Sequence, residues 1–148
     1  MKPLVRSAFA GLATGARSQS ALAAIARKPG RDGRFERFLH RKRVRKSLTR
    51  SAAFELVTDK LPVTPSRTAP PSVAARVALG AVTGALASSR AGGSGRRGAV
   101  VGALTSAAWT FGGPRYRSVA AARTGSDLPG AVVEDGAAVL LALGASRS

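Results

Sequence analysis

Val73-Ala-Ala-Arg76-Val-Ala-Leu-Gly80-Ala-Val-Thr83-Gly84-Ala-Leu-Ala-Ser-Ser89 carries a single charge and no aromatic ring. Its small aliphatic residues suit a helix. Gly80 and Gly84 lie four apart and so fall on one face of it. A face stripped of side chains lets a second helix backbone approach closely, the small-xxx-small arrangement of membrane helices. The spacing recurs at Gly11 and Gly15 and at Gly98 and Gly102, each pair inside an apolar stretch. The segments also echo one another, because Gly11-Leu-Ala-Thr14-Gly15-Ala16 aligns with Gly80-Ala-Val-Thr83-Gly84-Ala85. Weak internal symmetry of this kind accompanies membrane carriers that arose by duplication.

Composition points the same way. Hydrophobic residues make up 45% of the 148 residues but aromatic residues only 5%. A core built mainly of Ala buries little area, and burial is worth only about 25 cal/mol per Å². The expectation is an all-α, membrane-embedded bundle of about four to five short Gly/Ala-rich helices, with one basic amphipathic helix, in one domain. Against it stand a mean hydropathy of only +0.04 and the lengths of the apolar stretches 73–89 and 131–145. These reach about 25 Å and 23 Å at 1.5 Å per residue, short of a hydrocarbon core of about 30 Å. Two arrangements meet this shortfall: short spans with snorkelling arginines at their ends, or re-entrant and interfacial segments.

Outward from the opening stretch, Pro62, Pro65, Pro70 and Pro71 mark 62–71 as an extended linker. The Gly-rich run 90–97 joins two arms of a helical hairpin over about 72–122, and Pro114 ends or kinks the second arm. A last helix runs over about 128–145, with Ser126 or Asp127 as its N-cap and Pro129 in its first turn. A retained helix over about 4–26 opens the chain. Between lies a different region, from Arg31 to Arg50, where nine cationic residues face only Asp32 and Glu36. Phe35, Phe38, Leu39, Val44 and Leu48 form a narrow apolar stripe there, so a basic amphipathic helix is expected over about 33–61.

The net charge is +17, with 5 Lys to 19 Arg, a bias that a GC-rich coding background also produces. There is no Cys, which removes disulfides, cysteine nucleophiles and Cys-ligated zinc. The single His40 sits in a basic run and is expected to be solvated. No Walker loop, dinucleotide fingerprint or paired catalytic-carboxylate framework is present, so neither catalytic residues, cofactor nor metal is expected, and the chain does not read as an enzyme. Glu55 and Asp59 share a helix face, and Glu134 and Asp135 interrupt an apolar run. With Arg67 and Arg115 they make a candidate polar cluster at the mouth of the bundle, able to take a proton or a cation. Trp109 and Tyr116, beside Arg115 and Arg117, suit a membrane–water interface.

Four stretches carry a family resemblance: Glu55-Leu-Val-Thr-Asp59-Lys60-Leu-Pro62-Val-Thr64-Pro65-Ser66-Arg67, Gly11 to Ser18, Phe111-Gly112-Gly113-Pro114-Arg115, and Asp127-Leu128-Pro129 with Glu134-Asp135. They resemble the uncharacterised bacterial membrane family called domain of unknown function 4126. The resemblance implies an integral membrane protein of several helices and no established activity. The basic region 31–50 and Pro114 depart from that pattern.

The expected function is that of a cell-membrane integral protein, either a small-solute or ion carrier or a structural component. Its expected partners are membrane lipids, with anionic lipid along residues 31–50, and a second copy of itself. The alternative is a basic nucleic-acid-binding protein. The apolar, Gly-rich half of the chain and the few stacking aromatics count against it.

Overall fold

The computed structural model describes residues 1–27, 34–58 and 69–146; for Arg34, Phe35 and residues 55–58 it describes the backbone alone. Among the described residues there are seven helices and no strand: α1 (Pro3–Ala16), α2 (Ser20–Arg27), α3 (Arg34–Leu39), α4 (Lys42–Thr58), α5 (Pro70–Arg90), α6 (Gly95–Thr124) and α7 (Leu128–Ser146). The all-helical class agrees with the sequence reading, and the hairpin and the last helix fall close to their expected bounds; the helix number does not agree, because the first helix and the basic helix are each divided.

The breaks have local causes. The expected helix over 4–26 divides at Arg17, whose backbone is extended, and Ser20 Oγ caps the end of α1 by donating to the carbonyls of Ala13 and Arg17. The expected basic helix divides at His40 and Arg41 into α3 and α4. His40 is half-buried rather than solvated, with Nε2 3.6 Å from Glu36 Oε2. Pro70 sits in the first turn of α5, where a missing N–H costs nothing, while most of the Pro-rich linker lies outside the described residues. α5 ends as Gly92 and Gly93 donate to Ser89 and Ser88, with Gly92 at φ 78°. Ser94 caps α6 by accepting from the Arg97 N–H. Pro114 neither ends α6 nor shortens it; the helix runs on through Thr124 to Gly125, at φ 71°.

α1, α5 and α6 pack together, and glycine decides how closely. α1 and α6 run parallel, with α5 antiparallel to both. A Cβ added at Gly11 would lie 2.9 Å from Gly102 Cα, one at Gly84 2.8 Å from Gly102 Cα, and one at Gly80 2.7 Å from the Gly102 carbonyl. At Gly15 it would lie 2.9 Å from Trp109 Cβ, and at Gly98 2.9 Å from Ser7 Oγ. Gly102 is therefore where three helix backbones meet. α7 packs antiparallel along α1, with Gly144 against Phe9 and Ala142 and Ala145 in a cluster with Ala10, Ala13, Ala21 and Ile25. α3 and α4 attach through a smaller cluster of Leu22, Ala26 and Leu39, joined by Val44 and Leu48. Leu39, Val44 and Leu48 of the expected apolar stripe thus meet α2, Phe38 stays exposed, and the Phe35 side chain lies outside the described residues.

The distribution of side chains is inverted relative to a water-soluble bundle. Ser7, Thr14, Thr83, Ser106 and Thr110 are enclosed, whereas Leu104 and Leu140 are 66% and 71% exposed. Val100, Phe111, Val132, Val133 and Leu143 are exposed as well. α5 and α7 are long and apolar enough to cross a membrane. With 21 and 19 residues they measure about 31 Å and 28 Å, longer than the apolar stretches within them.

The two ends of the bundle differ in charge. At one, Pro3 packs against Gly93, and Arg90 reaches the Ile25 carbonyl (2.7 Å) and both oxygens of Glu36. Lys2, Arg27, Arg96 and Arg97 also lie at this end. At the other, Arg17 and Arg117 pair with Asp127, Glu134 and Asp135, and Arg115 and Arg123 add charge on the last turns of α6.

The glycine contacts separate two chemically identical changes. Gly102→Ala drives a methyl into α5 and should cost about 1–3 kcal/mol. Gly112→Ala meets nothing within 4 Å and should gain about 0.5–1 kcal/mol from helix propensity. Melting temperatures of the purified proteins in detergent check this; similar shifts for both changes would contradict the packing.

Candidate functional site

Two sets of enclosed polar groups link the helices. The first stitches α1 to α5. Ser7 Oγ donates to the Gly84 carbonyl at 2.9 Å, and Arg76 Nη1 donates to the Gly15 carbonyl, also at 2.9 Å. Thr14 and Thr83 hydroxyls meet midway at 3.1 Å. Ser106 Oγ, on α6, donates to the Arg76 carbonyl at 2.8 Å. These are helix-to-helix hydrogen bonds between enclosed groups.

The second set lies where α1 ends, on α6 and in the first turns of α7. Arg17 is 3% exposed and binds Asp135 through Nε (2.8 Å) and Nη2. Glu134, 1% exposed, has Oε2 3.9 Å from Arg117 Nη1. Gly113 gives that carboxylate its room: an added Cβ there would stand 3.0 Å from Glu134 Oε1 and 3.3 Å from Trp109 Nε1. Arg117 forks onto both oxygens of Asp127, with Nε at 3.0 Å from Oδ1. Arg117 lies beyond the uncharged stretch 98–114. Its hydrogen bonds to Asp127 hold the guanidinium above its ordinary pKa, against the opposing effect of partial burial. Asp127 also occupies the N-cap position of α7, its carbonyl accepting from the Ala131 N–H.

Of the six residues expected in one polar cluster, the structure brings Glu134 and Asp135 together with arginines. Arg115 is exposed on the far side of α6. The helix places it about 200° round from Arg117, while Trp109, Gly113 and Arg117 share a face at four-residue spacing. The pairing expected of Arg115 thus belongs to Arg117. Glu55's side chain, Asp59 and Arg67 lie outside the described residues. The sequence reading offers Arg76 as a partner for these carboxylates, but its Nη1 binds the Gly15 carbonyl, and the reading does not single out Arg17 or Arg117 for the site. The available signal for Arg17 was that it interrupts an apolar stretch, where a cation needs a partner. Tyr116 is exposed, and Trp109 is half-buried against Gly15 and Gly113. Among the described residues, no group of three or more His, Cys, Asp or Glu side chains converges as metal ligands would.

No protein-family model, curated protein or solved structure matches the chain.

The two aspartate–arginine pairs should differ in weight. Asp135→Ala deprives an enclosed guanidinium of its carboxylate and should cost about 3 kcal/mol or more. Asp127→Ala disrupts a pair with an exposed carboxylate and should cost about 1 kcal/mol or less. Denaturation midpoints of the two variants test the order, and a larger loss for Asp127→Ala would reverse it.

Proposed function

We propose that this chain is an integral protein of the cell membrane, a small helical bundle of the kind that the domain of unknown function 4126 resemblance implies. One observation carries the reading. Leu104, Leu140 and their apolar neighbours face outward, while hydroxyls, Arg17, Arg76 and Glu134 face inward. In water that arrangement forfeits the hydrophobic driving force. In hydrocarbon it leaves the interior to small-residue packing and interhelical hydrogen bonds. The charged end that holds Lys2, Arg27, Arg90, Arg96 and Arg97 is assigned to the cytoplasm by the positive-inside rule.

Of the two roles open to such a protein, carrier or structural component, Glu134 favours the carrier of a proton or small cation. An ionisable group enclosed within a membrane helix costs about 2.5–3.5 kcal/mol on insertion scales and is retained where it serves a pathway.

The cationic face of α4 supports a second reading, nucleic-acid binding, and the same experiment separates the two. Membranes from expressing cells are washed with high salt and then with alkaline carbonate. An integral protein stays in the pellet, whereas release by either wash overturns the proposal. The chain has no native Cys, so single cysteines report topology. Ser126→Cys should label from outside intact cells and Arg96→Cys should not; the opposite pattern reverses the orientation.

A further inference from the structure

Two concavities adjoin on the face made by α2, α4 and α7. One is an apolar groove of about 300 Å³, at the lower end of the range of small-molecule sites. Ala23 and Ala24 of α2, Ala52 and Ala53 of α4, and Val139 and Leu143 of α7 form its walls, and Arg17, paired with Asp135, lines it with Ser20 and Ser146. The other is a basin of about 620 Å³ lined by Arg27, Lys42, Arg45, Lys46, Thr49 and Arg50. Arg27 and Thr49 line both, so the groove opens directly onto the cations. Among the described residues no carboxylate lines either one.

We infer that this face binds one anionic phospholipid, with an acyl chain in the groove and the phosphate in the basin. Five cations around an unlined centre call for an anion, and a phosphate monoester offers close to two charges and three acceptor oxygens. An apolar slot leading away from the anion site calls for a hydrocarbon tail covalently joined to it. A free phosphate leaves the groove empty, and a zwitterionic lipid places a cation among cations. The helices supply the geometry. α4 runs antiparallel to α2, so its first turns bring Lys42, Arg45 and Lys46 beside Arg27. Its middle lays Ala52 and Ala53 opposite the exposed Val139 and Leu143 of α7. In the membrane reading on which this inference rests, Val139 and Leu143 already face acyl chains, and the basin lies toward the cationic end of the bundle.

The test uses the full chain in detergent micelles. Phosphatidic acid, phosphatidylcholine, inorganic phosphate and a single-stranded oligonucleotide are titrated in turn, with stoichiometry read by native mass spectrometry. One phosphatidic acid should be retained in preference to the other three. Removing basin charge in Arg45→Gln/Lys46→Gln should weaken it about fivefold per charge, about twenty-fivefold together. Arg115→Gln/Arg123→Gln removes equal charge elsewhere and should leave binding within about twofold. Filling the groove with Ala52→Phe should weaken binding about tenfold, the loss for about two displaced methylenes. Ala53→Phe replaces that variant if its circular dichroism departs from the parent. Equal binding of phosphatidylcholine, no effect of either groove variant, or tighter binding of the oligonucleotide would each overturn the site. Phosphatidic acid retained by a protein that carbonate releases would sink the integral-membrane reading and leave the site standing. A carbonate-resistant protein without the preference would do the reverse.

Discussion

Three helix backbones can meet at Gly102 only because no side chain stands between them. The contacts of Gly11 and Gly84 with its Cα, and of Gly80 with its carbonyl, set the spacing of α1, α5 and α6. Everything else follows from that spacing. At such separations the Ser7 hydroxyl spans from α1 to a carbonyl of α5, and Ser106 from α6 to another. Large aliphatic side chains have no room in this three-helix contact; on α5, α6 and α7 Val82, Val100, Leu104 and Leu140 turn outward, and the large aliphatic residues that are enclosed, Leu22, Ile25 and Leu39, belong to α2 and α3. A water-soluble bundle solves the same problem with Leu and Ile at wider spacing; in the proposed membrane setting, where apolar burial supplies no drive, the close small-residue contact takes that role.

The α1–α5 contact has an internal symmetry. Thr14 and Thr83, which touch, are 69 residues apart. Adding the same 69 to Ser7 and Gly15 gives Arg76 and Gly84. The bond from Ser7 to Gly84 is thereby exchanged for the bond from Arg76 to Gly15, and both measure 2.9 Å. An antiparallel pair whose contacts interchange in this way has a pseudo-two-fold axis between its members, the relation found within inverted-repeat transporters. Here the axis relates two helices, and α6 packs on both without a counterpart of equal length.

Much of this was legible in the sequence. The three Gly pairs mark the faces on which helix backbones come close, whereas the echo around Thr14 and Thr83 speaks of duplication and does not say that the two segments touch. Helix boundaries were harder. Arg17 reads as an interruption, yet nothing local says that the chain bends there so that its guanidinium reaches Asp135, 118 residues away. Pro114 reads as a stop, but its missing N–H forfeits one hydrogen bond in a 30-residue helix, too little to break a helix held on both sides of it. The choice between Arg115 and Arg117 depended on the register of α6 against α7, which sequence spacing alone does not carry. The groove beside Thr49 was invisible because it is made by three helices distant in sequence.

The account stands on which medium surrounds Val100, Leu104, Val132 and Leu140. Spin labels on single cysteines at these four positions, in the protein reconstituted into vesicles, answer that through collision rates with oxygen and with a water-soluble nickel chelate. Oxygen should dominate at all four, with the chelate nearly excluded and the gradient steepest toward the bilayer centre. Chelate collisions comparable to those at Ser126→Cys would place these side chains in water and contradict the account.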